Sequence, residues 1–273
     1  MKRIILCADD YGQNLAISQA IIELLDDKHL SATSCLVTQP NWASQAKMLA
    51  PYTDQIDIGL HFNLTDGKPL SKELPAFLPL KDLIIKSFTK GIKKEPIVSE
   101  LNAQLEAFVE ATGKLPDFID GHKHVHQFPI VRDAFLQVFD ERLRESGAYV
   151  RCTFDPASLY RVKDVAFLKQ LIIQLTGGII FKRELEKRKI THNSTFAGIY
   201  NFAAAPDYSR LFPRFLSQVG DRGLIMCHPG MHSTEETEEI VNMRHQEYIY
   251  FSSPKFLHIC REQEIKLIRF KDV

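Results

Sequence analysis

Short apolar runs alternate along this chain with longer stretches in which apolar residues return every three or four positions, and this predicts βα units rather than a sandwich or a bundle. Arg3 to Ala8 reads as a first strand and Leu15 to Asp27 as the helix behind it. Ala32 to Val37 and Ile56 to Asn63 read as the second and third strands, separated by a short helix over Asn41 to Leu49. Between Asp66 and Glu95 the periodicity is broken by Pro69, Pro75, Pro79 and a lysine-rich stretch, which predicts a long excursion. The helical run Ile97 to Thr112 stops at Gly113, a residue that tolerates the left-handed conformation just past a helix end. Phe118 to Gly121 is the next strand. Pro129 then suits the first turn of a helix reaching about Ser146, because its missing N–H would have no partner there.

Further along, Tyr149 to Cys152 reads as a strand, Val162 to Thr176 as a helix, Tyr208 to Val219 as a helix and Gly223 to Cys227 as a strand. Ser253 and Pro254 supply a cap and first position for a last helix, and Ile265 to Phe270 closes the chain as a strand. The stretch from Thr176 to Thr195 resists assignment, and its basic run Lys182 to Lys189 reads as a solvated face. Seven or eight strands, with no internal repeat and no dividing linker, predict one α/β domain over residues 1–273, a (β/α) barrel with an irregular strand count. An open doubly wound sheet is the alternative, but no glycine-rich nucleotide loop follows the first strand.

Composition narrows the partners. The 34 basic and 34 acidic side chains cancel, so no global field draws the chain to nucleic acid or an anionic membrane, and a small-molecule substrate is expected. Cys7, Cys35, Cys152, Cys227 and Cys260 form no zinc-finger spacing, and three of them lie in apolar strand-like runs, which points to a reducing compartment. The start, MKRIILCADD, has too few uncharged residues for the apolar core of a signal peptide, so a cytoplasmic protein is expected. The longest apolar segment, Leu171 to Phe181, falls short of the roughly 20 residues of a membrane span and is expected to be a core or homodimer element.

The chemistry lies at the C-terminal ends of the predicted strands, where parallel α/β folds build their sites. Four ends are polar: Asp9-Asp10 after the first strand, His61 to Thr65 after the third, Asp120 to His126 after the fourth, and His228-Pro229-Gly230 after Cys227. Neighbours in an extended segment point to opposite sides, so Asp9 and Asp10 cannot both reach one metal unless the chain turns between them. One would be a ligand and the other a base. If the chain stays extended, Asp120, His122, His124 and His126 fall on one side. A lone aspartate at such a place is often a helix cap and a lone histidine often a buried structural one. The HxHxH row is harder to explain so, because three adjacent imidazoles would repel when protonated. His228, held by a Pro-Gly turn, is the candidate general acid, with His124 and His126 as second choices.

These motifs, ADDYG from residue 8, GLHFNLTDGKPL from 59, DGHKHVHQFP from 120, CHPG from 227 and the stretch Arg244 to Ser253, resemble those of the YdjC-like carbohydrate deacetylases, which include chito-oligosaccharide deacetylases. The resemblance spans most of the chain. It implies a TIM-barrel-like fold, one divalent ion usually recorded as magnesium, and removal of acetyl groups from N-acetylated sugars. It further implies Asp10, His61 and His122 as metal ligands and Asp9 as the base; Asn63, Thr65, Asp120, His124, His126 and Arg244 are further candidates for contacting substrate or supporting the ligands. Tyr11 stands where the family often has Phe and Gly121 where it often has Ser, and neither difference removes a ligand. Nitrogen ligands favour zinc over magnesium on softness, with manganese a third option. Other readings of two histidines and a carboxylate are a metal-dependent phosphoesterase or other amidohydrolase, an Fe(II) oxygenase, and a non-catalytic sugar-binding protein.

Overall fold

The structure is a computed structural model and describes residues 1–154, 177–202, 207–232 and 240–272. The helix expected over Val162 to Thr176 lies outside the described residues, as does most of Leu171 to Phe181. Among the described residues, eight parallel strands form one curled sheet: β1 (Lys2–Tyr11), β2 (Ala32–Cys35), β3 (Asp57–Phe62), β4 (Phe118–Gly121), β5 (Tyr149–Val150), β6 (Phe196–Ala197), β7 (Gly223–Cys227) and β8 (Ile265–Leu267). Their order is β5-β4-β3-β2-β1-β7-β6, and β8 pairs with residues 2–4 of β1. The helices that connect them are α1 (Leu15–Asp26), α2 (Trp42–Ala46), α3 (Leu80–Phe88), α4 (Lys94–Thr112), α5 (Val131–Val138), α6 (Ile179–Lys187), α7 (Tyr208–Gln218), α8 (Val241–Phe251) and α9 (Pro254–Glu262). No helix among the described residues is long and apolar enough to cross a membrane.

Burial on both faces of the sheet explains why the strands read as near-continuous apolar runs. In β1, Ile4, Leu6 and Ala8 join the large outer core with residues of the helices, whereas Ile5 and Cys7 join a separate cluster with Ala32, Phe118, Tyr149, Phe196, Leu224 and Met226. That second cluster fills the inside of the curl. Within it Phe118 stacks on Tyr149 and Tyr149 on Phe270, with centroids 5.0 and 4.1 Å apart, so the segment after β8 packs against this cluster. Gly59 is inward too; a Cβ there would come within 2.6 Å of the Phe118 ring, so only glycine leaves the ring its place.

One stretch of chain touches both ends of the sheet. The Val150 N–H donates to Thr191 (2.9 Å), and β6, a few residues later, pairs with β7. Between them the Asn193 amide behaves like a peptide unit: its Oδ1 accepts the Cys152 N–H (2.8 Å) and its Nδ2 donates to the carbonyls of Cys152 and Thr195 (2.9 Å each).

Several expected boundaries move. Pro129 stands ahead of α5 rather than in its first turn, because Ile130 adopts φ 68° and the helix begins at Val131; it ends at Val138 and continues to Ser146 as π and 3-10 turns. Inside the expected excursion α3 forms, and the basic run lies largely on α6, which buries Phe181 and Leu185. Gly113 is left-handed, φ 75°, as expected. Pro254 opens α9 as expected, but the Ser253 hydroxyl donates to Tyr250 and does not cap the helix.

Candidate active site

Alternation along the strands carries the inward track from apolar to polar toward the C-terminal end. Two residues beyond Cys7 comes Asp9, beyond Ala32 Ser34, beyond Phe118 Asp120, beyond Tyr149 Arg151, and beyond Met226 His228. His61 lies beside Asp120 in register. Asp10 belongs to the opposite track, yet it enters the same space. The chain turns there, with Asp10 at φ 69° and the β1–β2 register shifting between Ala8 and Tyr11, which is a bulge. The turn that the paired aspartates needed is therefore present, made by a residue type that tolerates positive φ better than most.

Asp10, His61 and His122 each offer one ligand atom, and these atoms lie within 4.8 Å of one another. Asp10 Oδ1 is 2.9 Å from His122 Nδ1 and 3.4 Å from His61 Nε2, while Oδ2 accepts from Arg244 (2.7 Å). The other nitrogen of each ring is held by a further carboxylate, His61 Nδ1 by Asp120 (2.6 Å) and His122 Nε2 by Asp66 (2.9 Å). Those contacts fix which nitrogen of each imidazole points at the shared space, the arrangement in which carboxylates orient metal-binding histidines. One carboxylate and two oriented imidazoles fit a divalent ion, and three protein ligands leave further coordination positions unfilled.

Electrostatics agree with a cation-seeking centre. Burial opposes charge on His61, but Asp120 and Asp9 outweigh it and raise the pKa to about 10. His122 is raised too, burial being overcome by Asp10 and Asp66. Asp10 is held well below the usual carboxylate range, burial being reversed by Arg244 and His122.

Asp9 faces the same space from the other side. Both its oxygens accept from Arg151 (2.5 and 2.6 Å), whose Nη2 also pairs with Asp120 at 2.8 Å. Asp9 Oδ2 lies 4.0 Å from His61 Nε2 and 4.0 Å from His228 Nε2. Burial pulls His228 down to about 4, with Asp10 and Asp9 opposing only in part, so its ring is neutral at neutral pH. Its backbone N–H donates to Glu247, whose carboxyl burial pushes up to about 7 against hydrogen bonds from Tyr200 and His228.

The one-sided histidine row does not form. Lys123 and His124 are left-handed, φ 53° and 57°, and residues 122–127 curl into a 3-10 turn. Gly121 permits this, since a Cβ there would meet His126 Nδ1 at 2.7 Å. Only His122 reaches the centre. His124 packs on Phe196 and His126 on Phe135 and Phe181, while His126 Nε2 lies 3.2 Å from the Arg151 carbonyl. Burial lowers both, His126 to about 4, so these rings brace the wall as neutral groups. Asn63 is fully buried, its amide donating to Thr38 and to the Asp66 carbonyl, and Gln104 and Glu100 tie the same loop to α4. Thr65 donates to Asp66. These two residues thus shape the loop that carries Asp66. Arg151, Ser34, Asp66 and Glu247 escaped the sequence reading. Counting in twos from Tyr149 would have placed Arg151, and the turn spacing from Arg244 would have placed Glu247.

A carbohydrate deacetylase from Xenopus laevis is 32% identical over 174 residues, 58% of this chain and 56% of its own length, so this chain aligns with about half of that relative. One from Clostridium beijerinckii is 25% identical over 99% of this chain and 100% of its own length. The crystal structure of a candidate cellobiose-phosphate cleavage protein from Enterococcus faecalis shares the fold, with a TM-score of 0.73 at 20% identity, covering 99% of this chain and 98% of the other. The profile of the YdjC-like proteins matches residues 3–262, and the chain belongs to that family.

Proposed function

We propose that this protein is a metal-dependent hydrolase that removes acetyl groups from N-acetylated sugars or oligosaccharides, with Asp10, His61 and His122 as ligands, Asp9 as general base and His228 as general acid. The observation that carries the reading is the convergence of Asp10 with two histidines whose remaining nitrogens are held by Asp120 and Asp66. The names of the relatives supply the substrate class. A divalent ion held there supplies Lewis acidity, polarising the acetyl carbonyl and acidifying a water.

The protein's own groups do the rest. Arg151 fixes Asp9 in one orientation, leaving Oδ2 facing His228 Nε2 across 4.0 Å. A reacting carbon seated in front of both groups, not in the gap itself, has its attacking oxygen near the carboxylate and its leaving nitrogen near the imidazole. Asp9 Oδ2 takes the proton of the water. His228 starts neutral, and the negative charge that grows beside it raises its basicity, so that the proton Asp9 has taken from the water passes to His228 and from it to the nitrogen of the departing amine as the C–N bond breaks.

Acetate release from a panel of acetylated sugars, measured with and without a chelator and after adding back magnesium, zinc or manganese, tests the reading. Release abolished by chelation and restored by one of the ions is expected; release that survives chelation, or none from any acetylated sugar while the ion binds, overturns it. The second outcome would favour a sugar-binding role. Sedimentation tests the accompanying proposal of a homodimer.

A further inference from the structure

Helix α8 carries two buried charged side chains one turn apart, Arg244 and Glu247, and each grips a different part of the site. Arg244 reaches Asp10. Glu247 Oε2 accepts the backbone N–H of His228 (2.5 Å), and Oε1 accepts the Tyr200 hydroxyl (2.5 Å). The same helix also takes the other end of the His228-Pro229-Gly230 turn, since the Gly230 N–H donates to the Arg244 carbonyl (3.1 Å). A Cβ on Gly230 would lie 3.2 Å from Arg244 Cβ, so the turn is pressed against α8. Tyr200 packs against Phe202 at 4.4 Å, and the Phe202 ring meets the His228 ring edge-on at 5.5 Å. One buried carboxylate therefore joins the peptide on which the imidazole hangs to the segment that packs against that imidazole. Burying a carboxylate is costly, and packing alone would be met by an apolar side chain.

We infer that Glu247 is the positioning residue of His228, aiming its Nε2 at the leaving nitrogen by holding the peptide N–H and, through Tyr200, the ring's aromatic neighbour. The inference rests on the reading of His228 as the acid. Glu247 touches no reacting atom; it acts through the direction of the imidazole.

The experiment is a set of steady-state measurements on E247A, E247Q, E247D, Y200F, H228A and the double variant H228A/E247A in the metal-loaded full chain, using an N-acetyl sugar and an acetyl ester with a good leaving group. A misplacement of about 1 Å costs on the order of 100-fold, so E247A is expected to lower kcat on the amide by about that much while KM and metal affinity stay within about twofold. The loss shrinks on the ester, whose leaving group needs no proton. In E247Q the amide oxygen still accepts the His228 N–H and the amide nitrogen can donate to Tyr200, so most of kcat returns. E247D keeps the charge on a shorter stem and guards against E247A failing to fold; it shows the same pattern at smaller size. In the double variant the E247A loss vanishes, because the imidazole it acts through is gone. A loss that persists in the H228A background, falls equally on ester and amide, or is reproduced in full by Y200F overturns the inference and leaves His228 as the acid. Wild-type rates in H228A on the amide overturn the acid reading itself, and the inference with it.

Discussion

On the proposed reading, an ion entering this centre must displace a proton, and the size of that competition follows from His61. Its pKa is raised to about 10, so in the metal-free protein at about pH 7.5 the ring is charged and donates to both Asp120 and Asp10. A ligand nitrogen must be deprotonated. Removing the proton about two to three units below its pKa costs on the order of 3 kcal/mol, an affinity on the order of 100-fold weaker at that pH than in the alkaline limit. Apparent affinity should therefore climb about tenfold per pH unit for each proton released, one from His61 and a second wherever the raised His122 is also charged. Titration calorimetry with magnesium or zinc in buffers of different ionisation enthalpy, between about pH 6.5 and 8.5, counts those protons. Asp120→Asn should bring His61 back toward its ordinary value and cut the release. It should also weaken the ion by about 10–100-fold, the usual cost of losing the group that orients a ligand. Without metal the sign inverts: the folded pKa lies above the ordinary 6.5, so His61's contribution to stability is complete below that and fades as pH rises through about 10. Binding heats independent of buffer, with affinity flat across the range, would refute the reasoning.

The paired aspartates separate by metal content: Asp10→Asn should lose the ion by more than the 10–100-fold of an orienting group, whereas Asp9→Asn should retain it and lose turnover. Reversed metal contents would exchange their roles. His228, lowered to about 4, should contribute no limb to the pH profile of kcat/KM between about pH 6 and 9, contrary to the basic limb that an ordinary imidazole acid would give. A wild-type limb in that range that disappears in His228→Ala would show that the ring is charged in the free protein. Gly59→Ala should cost about 1–3 kcal/mol by overpacking against Phe118, lowering the melting temperature by about 2–4 °C per kcal/mol. An unchanged melt would mean that the ring has room to move.

The strands were legible because both of their faces are buried, and their polar ends stood out for the same reason. Phe118–Gly121 and Gly223–Cys227 match their expected bounds residue for residue. What depends on a single dihedral was not legible. That Asp10 turns inward rests on its positive φ, and the histidine row is broken by two left-handed residues after Gly121. Contacts distant in sequence were hidden as well: Arg151 meets Asp9 across 142 positions. Helix α8 escaped because it buries Arg244 and Glu247 among its apolar residues, which blurs the stripe that marks an amphipathic helix. The His-x-His spacing pointed to an ion, but only the packing of His124 and His126 among phenylalanines separates ligand from wall.

A barrel completed by a side chain that imitates a peptide has a seam. β1 and β7 are paired along five consecutive residues, whereas β5 and the chain beyond it are joined by the Val150–Thr191 bond and the Asn193 amide. Amide hydrogens flanking that junction should exchange through smaller openings than those of β1 to β4, a difference that native-state hydrogen exchange reads directly. Arg151 lies between the two stitched residues, Val150 and Cys152, and it is the cation that holds Asp9. An opening of the seam would carry the guanidinium with it, so loss of amide protection there and loosening of Asp9 are expected to come together.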